Sequence, residues 1–193
     1  MTTVYFVRHA QSDRFALDDR TRPLTAEGLQ DAEKVTAALA DKGITRVLSS
    51  PYTRTMQTVS GLAGALGLPI ETDEDFRERN AGTWRGENFL KYIEAQWADF
   101  GYHIEDGECL ADVQARNIAA LKRALEKYPG ETLAIATHGT ALSTILNKYF
   151  PEFGYADFMR ILDAMPYIVR LDFDGEGRCA FKEEILMILK QYK

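Results

Sequence analysis

Two rhythms of apolar positions alternate along this chain. Short runs at Val4–Val7, Arg46–Ser49, Leu68–Thr72 and Thr132–Ala136 carry the aromatic, aliphatic and β-branched residues of buried strands. Between them, Leu29, Ala32, Val35 and Leu39 recur at helical spacing, with Thr25 as the expected N-cap, Glu27 at the positive end and Gly43 as the stop. Ser50-Pro51 reads as an N-cap followed by a first helical residue, opening a helix through Met56, Val59, Leu62, Ala63 and Leu66 that ends at Gly67. Leu110, Val113, Asn117, Leu121, Leu125 and Tyr128 predict a further helix. So do Leu142, Ile145, Leu146 and Tyr149 after Gly139.

Two stretches break the alternation. Asp73 to Gly107 is polar and aromatic with Gly82, Gly86 and Gly101, which predicts a loop-rich cap with one helix near Phe89 to Phe100. Tyr167–Asp174 and Cys179–Glu184 flank Gly175-Glu176-Gly177, a hairpin signal. Strand–helix alternation predicts an α/β fold with a mostly parallel central sheet covered on both faces, and the hairpin adds an antiparallel edge. The 193 residues suit one domain, 1–193, with the cap at about 73–107.

Composition narrows the function classes. Apolar residues are 46% and charged residues 27%, an ordinary globular balance. The net charge of −6 and the lack of a Lys/Arg run argue against nucleic acid. The longest apolar run, Ile185 to Leu189, is too short to span a bilayer, and the N-terminus does not read as a signal peptide. Two cysteines, Cys109 and Cys179, make no disulfide framework, so a cytoplasmic setting is expected. With three histidines and no CxxC or HExxH spacing, neither a metal site nor a cofactor is expected. Oligomeric state is left open.

Open α/β sheets bind ligands at the C-terminal ends of their strands. Arg8-His9 follows the first predicted strand, Ser49-Ser50-Pro51 with Arg54 the second, and Thr137-His138-Gly139 the strand at 132–136. Each of these residues alone is ordinarily structural. Together they bring two arginines and two histidines to one rim. Arginine forks match phosphate oxygens, helix starts add N–H donors, and histidine serves as nucleophile or acid/base near neutral pH. The collection suits a phosphoryl group.

The chain also resembles a known family. Val7-Arg8-His9-Ala10-Gln11-Ser12 is similar to the Arg-His-Gly signature of the histidine phosphatase superfamily, the phosphoglycerate-mutase-like enzymes. Ser49 to Thr58 resembles its second motif, and Phe76 to Gly86 the stretch that supplies a proton donor. Asp106-Gly107-Glu108-Cys109 resembles the Gly-Glu-Ser that opens the next helix, and Ala136-Thr137-His138-Gly139 the last motif. The five occur in family order over residues 3 to 147. The resemblance implies a three-layer α/β/α sandwich and metal-free phosphoryl transfer through phosphohistidine. It implies His9 as nucleophile, Arg8, Arg54 and His138 as phosphate ligands, and Glu78 as general acid. Gln11, Ser12 and Gly139 join the expected phosphate ligands. Glu71, Asp73, Glu74, Asp75 and Glu87 are rivals of Glu78. Glu108 reads as a helix-start residue or part of a supporting ion pair, and Trp84 as either core or substrate contact.

Departures from the family pattern are Ala10 in place of glycine and Phe15 in place of an asparagine. Arg20 and Arg22 sit in a polar stretch that either extends the positive rim or is solvated loop. The expected function is a phosphomonoester hydrolase acting on a small phosphorylated metabolite. The alternatives are a phosphoglycerate-type mutase, a protein phosphohistidine phosphatase and a catalytically silent phospho-ligand module. The modest cap and Phe15 favour the hydrolase over the mutase.

Overall fold

A strand buried on both faces must feed two cores, and β1 (Thr2–Arg8) does so. Val4 and Phe6 enter one core and Tyr5 and Val7 the other. The computed structural model describes residues 1–83 and 88–190. Trp84, Gly86 and Glu87 lie outside the described residues. The remaining strands are β2 (Arg46–Ser49), β3 (Ile70–Thr72), β4 (Thr132–Thr137), β5 (Ala164–Phe173) and β6 (Cys179–Leu189). Their order is β3-β2-β4-β1-β5-β6. The first four are parallel, and β5 and β6 form the expected antiparallel edge.

Helices cover both faces. On one, α1 (Ala26–Leu39) and α2 (Thr53–Leu66) pack Val35, Leu39, Val59 and Leu62 against Tyr5, Val7, Val47 and Ala134. On the other lie α3 (Phe89–Ala98), α4 (Leu110–Lys127), α5 (Gly139–Tyr149) and α6 (Tyr155–Ile161). There Ile93, Leu121, Leu142 and Phe158 meet Phe6, Leu48, Leu133 and Ile135. The result is the three-layer α/β/α sandwich.

Four details differ from the pattern-based expectation. Thr25 caps α1 as expected, its hydroxyl accepting the Gly28 N–H at 3.0 Å, but the helix ends at Leu39, before Gly43. Leu29 is 49% exposed, and the buried stripe runs through Gly28 instead. There the Gln11 carbonyl lies 2.1 Å from where a Cβ would sit, so only glycine lets the loop after β1 close onto α1. Helix α2 begins at Thr53 with Tyr52 as cap, not at Pro51, and the Ser50 hydroxyl lies 2.8 Å from His138 Nε2. Finally, α6 was not expected: its seven residues are too few for a periodic signal. It is held by Phe158 and Ile161 in the core, and the Trp97 ring stacks on Phe158 at 5.6 Å to join α3 to α6.

Strand register positions the site. Arg8 pairs with Thr137 and Ser49 with Ala136, so β1, β2 and β4 end at one level. The His9 N–H donates to the Thr137 carbonyl (3.1 Å) and the Ser50 N–H to that of Ala136 (2.9 Å), which carries the ladder one residue further. His9, Ser50 and His138 therefore emerge side by side at the C-terminal ends of β1, β2 and β4.

Candidate active site

A cavity of about 760 Å³ opens at these strand ends. Arg8, His9, Ser12, Arg54, Glu78 and Gly139 all line it, as do Arg14, Arg20, Arg22 and Arg79. Its apolar lining is Phe89, Ile93, Phe158, Leu162 and Met165. A second cavity of about 730 Å³, around Thr2, Gly130 and the hairpin turn at Asp174–Gly177, holds none of the expected site residues.

His9 is 6% exposed, and its Nδ1 lies 2.7 Å from the Ala10 carbonyl oxygen. A carbonyl only accepts, so Nδ1 carries the proton and Nε2 keeps its lone pair. Burial, then the charges of Arg54 and Arg8, hold the His9 pKa well below the ordinary histidine value. His138 is fully buried, its ring centroid 5.3 Å from that of His9. Burial, then Arg54 and His9, lower its pKa well below normal too. Its Nε2 is 2.8 Å from Ser50 Oγ, while Nδ1 meets no partner among the described residues. Ser50 Oγ also accepts the Tyr52 N–H at 3.4 Å. A hydroxyl has one proton and two lone pairs, so Ser50 pairs with His138 Nε2 in either tautomer of the ring.

Arg54 is a fully buried cation. Its Nη1 donates to the Asp19 carbonyl (2.5 Å) and its Nη2 to the Asp19 carboxylate (3.4 Å). Arg22 shares that carboxylate at 2.6 Å. Arg8 donates to the Ile161 carbonyl at 2.5 Å, which fixes its guanidinium against the start of α5. A Cβ on Gly139 would sit 3.0 Å from Arg8 Cζ, so the glycine makes room for that guanidinium.

Glu78 caps the α5 start from outside the helix. Its carboxylate accepts the Thr140 and Ala141 N–H groups, each at 3.1 Å, and that of Arg79 at 2.8 Å. The described rivals are engaged elsewhere. Glu71 binds Lys127 and Tyr128, Asp73 and Asp75 bind Arg123, and Glu74 binds Arg20 through both oxygens. Glu87 lies outside the described residues. Glu108 forms a bidentate pair with Arg116.

Gln11 is not among the residues lining the cavity; its amide oxygen accepts the Thr25 hydroxyl (2.8 Å). The Ala10 methyl is buried against Leu24 and Ala32. Phe15 is 78% exposed under the Arg14 guanidinium. Among the described residues, no group of three or more His, Cys, Asp or Glu side chains is placed to hold a metal ion. No described helix is long and apolar enough to cross a membrane.

The pattern of the histidine phosphatase superfamily, branch 1, matches residues 4–182. The chain belongs to this superfamily. Among curated superfamily relatives, the probable phosphoglycerate mutase GpmB of Yersinia pestis (strain Pestoides F) is 33% identical over 159 residues, 76% of this chain and 74% of that protein. The solved structure of Bacillus stearothermophilus YhfR is 25% identical at a TM-score of 0.74, covering 93% of this chain and 94% of that one. A phosphoserine phosphatase mutant from Entamoeba histolytica, in complex with phosphoserine, shares the fold at a TM-score of 0.76. It is 18% identical and covers 97% of this chain and 96% of its own.

Proposed function

We propose that this histidine phosphatase superfamily member is a metal-independent phosphomonoester hydrolase working in the cytoplasm. A phosphohistidine on His9 is its intermediate and Glu78 its proton donor. One observation carries the reading: a neutral histidine with a free Nε2, two buried arginines and a cavity-facing carboxylate converge on one strand-end cavity.

In the first step the His9 Nε2 lone pair attacks phosphorus in line. The P–O ester bond breaks, and the leaving oxygen takes a proton from Glu78. In the second, Glu78 takes a proton from water, the oxygen of which attacks phosphorus. The P–N bond breaks and inorganic phosphate leaves. Arg8, Arg54 and His138 offset charge on the non-bridging oxygens, the largest requirement of phosphoryl transfer. These donors ask nothing of a metal ion. Ser12 and Gly139 border the same space. The mixed cationic and apolar walls suit a small phosphorylated metabolite, and the phosphoserine bound by the Entamoeba relative is of that class.

The similarity to probable phosphoglycerate mutases favours a second reading, transfer to a second substrate hydroxyl in place of water. A panel of phosphomonoesters that includes 3-phosphoglycerate, assayed with EDTA present, separates the two. Hydrolysis releases inorganic phosphate from several esters. Rapid isomerisation of 3-phosphoglycerate without phosphate release establishes the mutase.

A further inference from the structure

The Glu78 carboxylate is aimed by three backbone amides, yet its own backbone belongs to no helix or strand. One guanidinium binds three carbonyls of that segment. Arg116, on α4, donates through Nε and Nη2 to the two Glu108 oxygens, each at 2.9 Å. Its Nη1 donates to the carbonyls of Asp75 (2.9 Å) and Arg77 (2.7 Å), and its Nη2 to that of Glu78 (3.0 Å). A guanidinium has five N–H groups, and all five are used. Glu108 completes the grip, accepting the Asn80 N–H at 2.8 Å and Arg77 Nη2 at 3.0 Å. The pair therefore fixes the chain immediately before and after the Glu78 side chain. Neither residue lines the cavity.

We infer that Arg116 and Glu108 form a positioning pair that orients the proton donor Glu78. This rests on the reading of Glu78 as that donor. The two do not touch substrate; they act through the 75–80 backbone. A planar fork is required, because a lysine ammonium is a point charge that cannot span three carbonyls and a carboxylate together. An ordinary stabilising ion pair would affect every substrate alike. A positioning pair weakens only the step that needs the donor.

The test compares kcat/KM for an alkyl phosphate, whose leaving oxygen needs a proton, with that for p-nitrophenyl phosphate, whose leaving group scarcely does. The variants are Arg116→Lys, Glu108→Gln, Glu78→Gln and the double variant Glu78→Gln/Arg116→Lys. Arg116→Lys should lower the alkyl value about 10- to 100-fold, as displacements of about an ångström do. The aryl value and inhibition by orthovanadate should change by less than about threefold, since the phosphate pocket is untouched. In the Glu78→Gln background the Arg116 change should add no further loss. Equal losses on both substrates, or a further loss in the double variant, overturn the inference and leave the donor assignment standing. Equal losses in Glu78→Gln itself overturn the donor assignment, and the inference falls with it. If Arg116→Lys does not fold, Glu108→Gln must show the same leaving-group dependence; its absence overturns the inference.

Discussion

The rings of His9 and His138 meet edge to face, their centroids 5.3 Å apart and both side chains buried beside Arg54. Two imidazolium ions at that distance would repel each other and the arginine, so both rings are neutral. Neutrality leaves His9 Nε2 the lone pair that the proposed attack on phosphorus requires.

Neutral burial has a consequence for stability. Unfolding returns both histidines to water and to their ordinary pKa near 6.5, so the unfolded chain binds more protons than the native one. Stability is therefore full above pH 6.5 and is lost as pH falls below it. The slope approaches about 2.7 kcal/mol per pH unit when both rings contribute. The lowered carboxylates Glu71, Glu74 and Glu108 have ordinary values near 4.5, so their loss begins lower still. Urea unfolding at pH 7.5 and 5.5 measures the slope, and His138→Gln should roughly halve it.

Arg54→Ala removes charge from the transferring phosphoryl group, so it should slow alkyl and aryl phosphates alike, about 10²–10³-fold in kcat. Asp19 occupies the same guanidinium from an exposed loop. Asp19→Asn should therefore tighten orthovanadate inhibition by about two- to fivefold, the scale of an exposed ion pair.

Ser50 Oγ is the hydrogen-bond partner of His138 Nε2 and orients its ring. Ser50→Ala should reduce kcat/KM by about five- to tenfold, the worth of one hydrogen bond to a neutral group, with no change in melting temperature beyond a few degrees. His138→Ala should cost more, and adding Ser50→Ala to it should cost nothing further.

Much of this was legible in the sequence, for reasons specific to each part. Arg8 ends β1, and His9 and His138 directly follow β1 and β4, strands that their short apolar runs identify; the strand-end rule then gathers all three. Arg54 follows one helical turn later. Ser50 reads only as a helix cap in the sequence because its partner is 88 residues away and no local pattern reports such a contact. Arg116 falls between Val113 and Asn117 on an amphipathic helix, where a charge ordinarily reads as solvated; only the fold turns it onto the 75–78 carbonyls. Gln11 stands in the nucleophile motif, but α1 draws its side chain away to Thr25. Helix α6 owes its existence to tertiary packing of Phe158 and Ile161.

The most direct measurement is the chemical identity of the phosphorylated enzyme. Wild-type protein mixed with a 32P-labelled phosphomonoester and quenched within milliseconds should carry label that is stable to alkali and labile to acid, on the peptide containing His9. The label should vanish in His9→Ala. Label that persists in His9→Ala, or that is stable to acid, would contradict a phosphohistidine on His9.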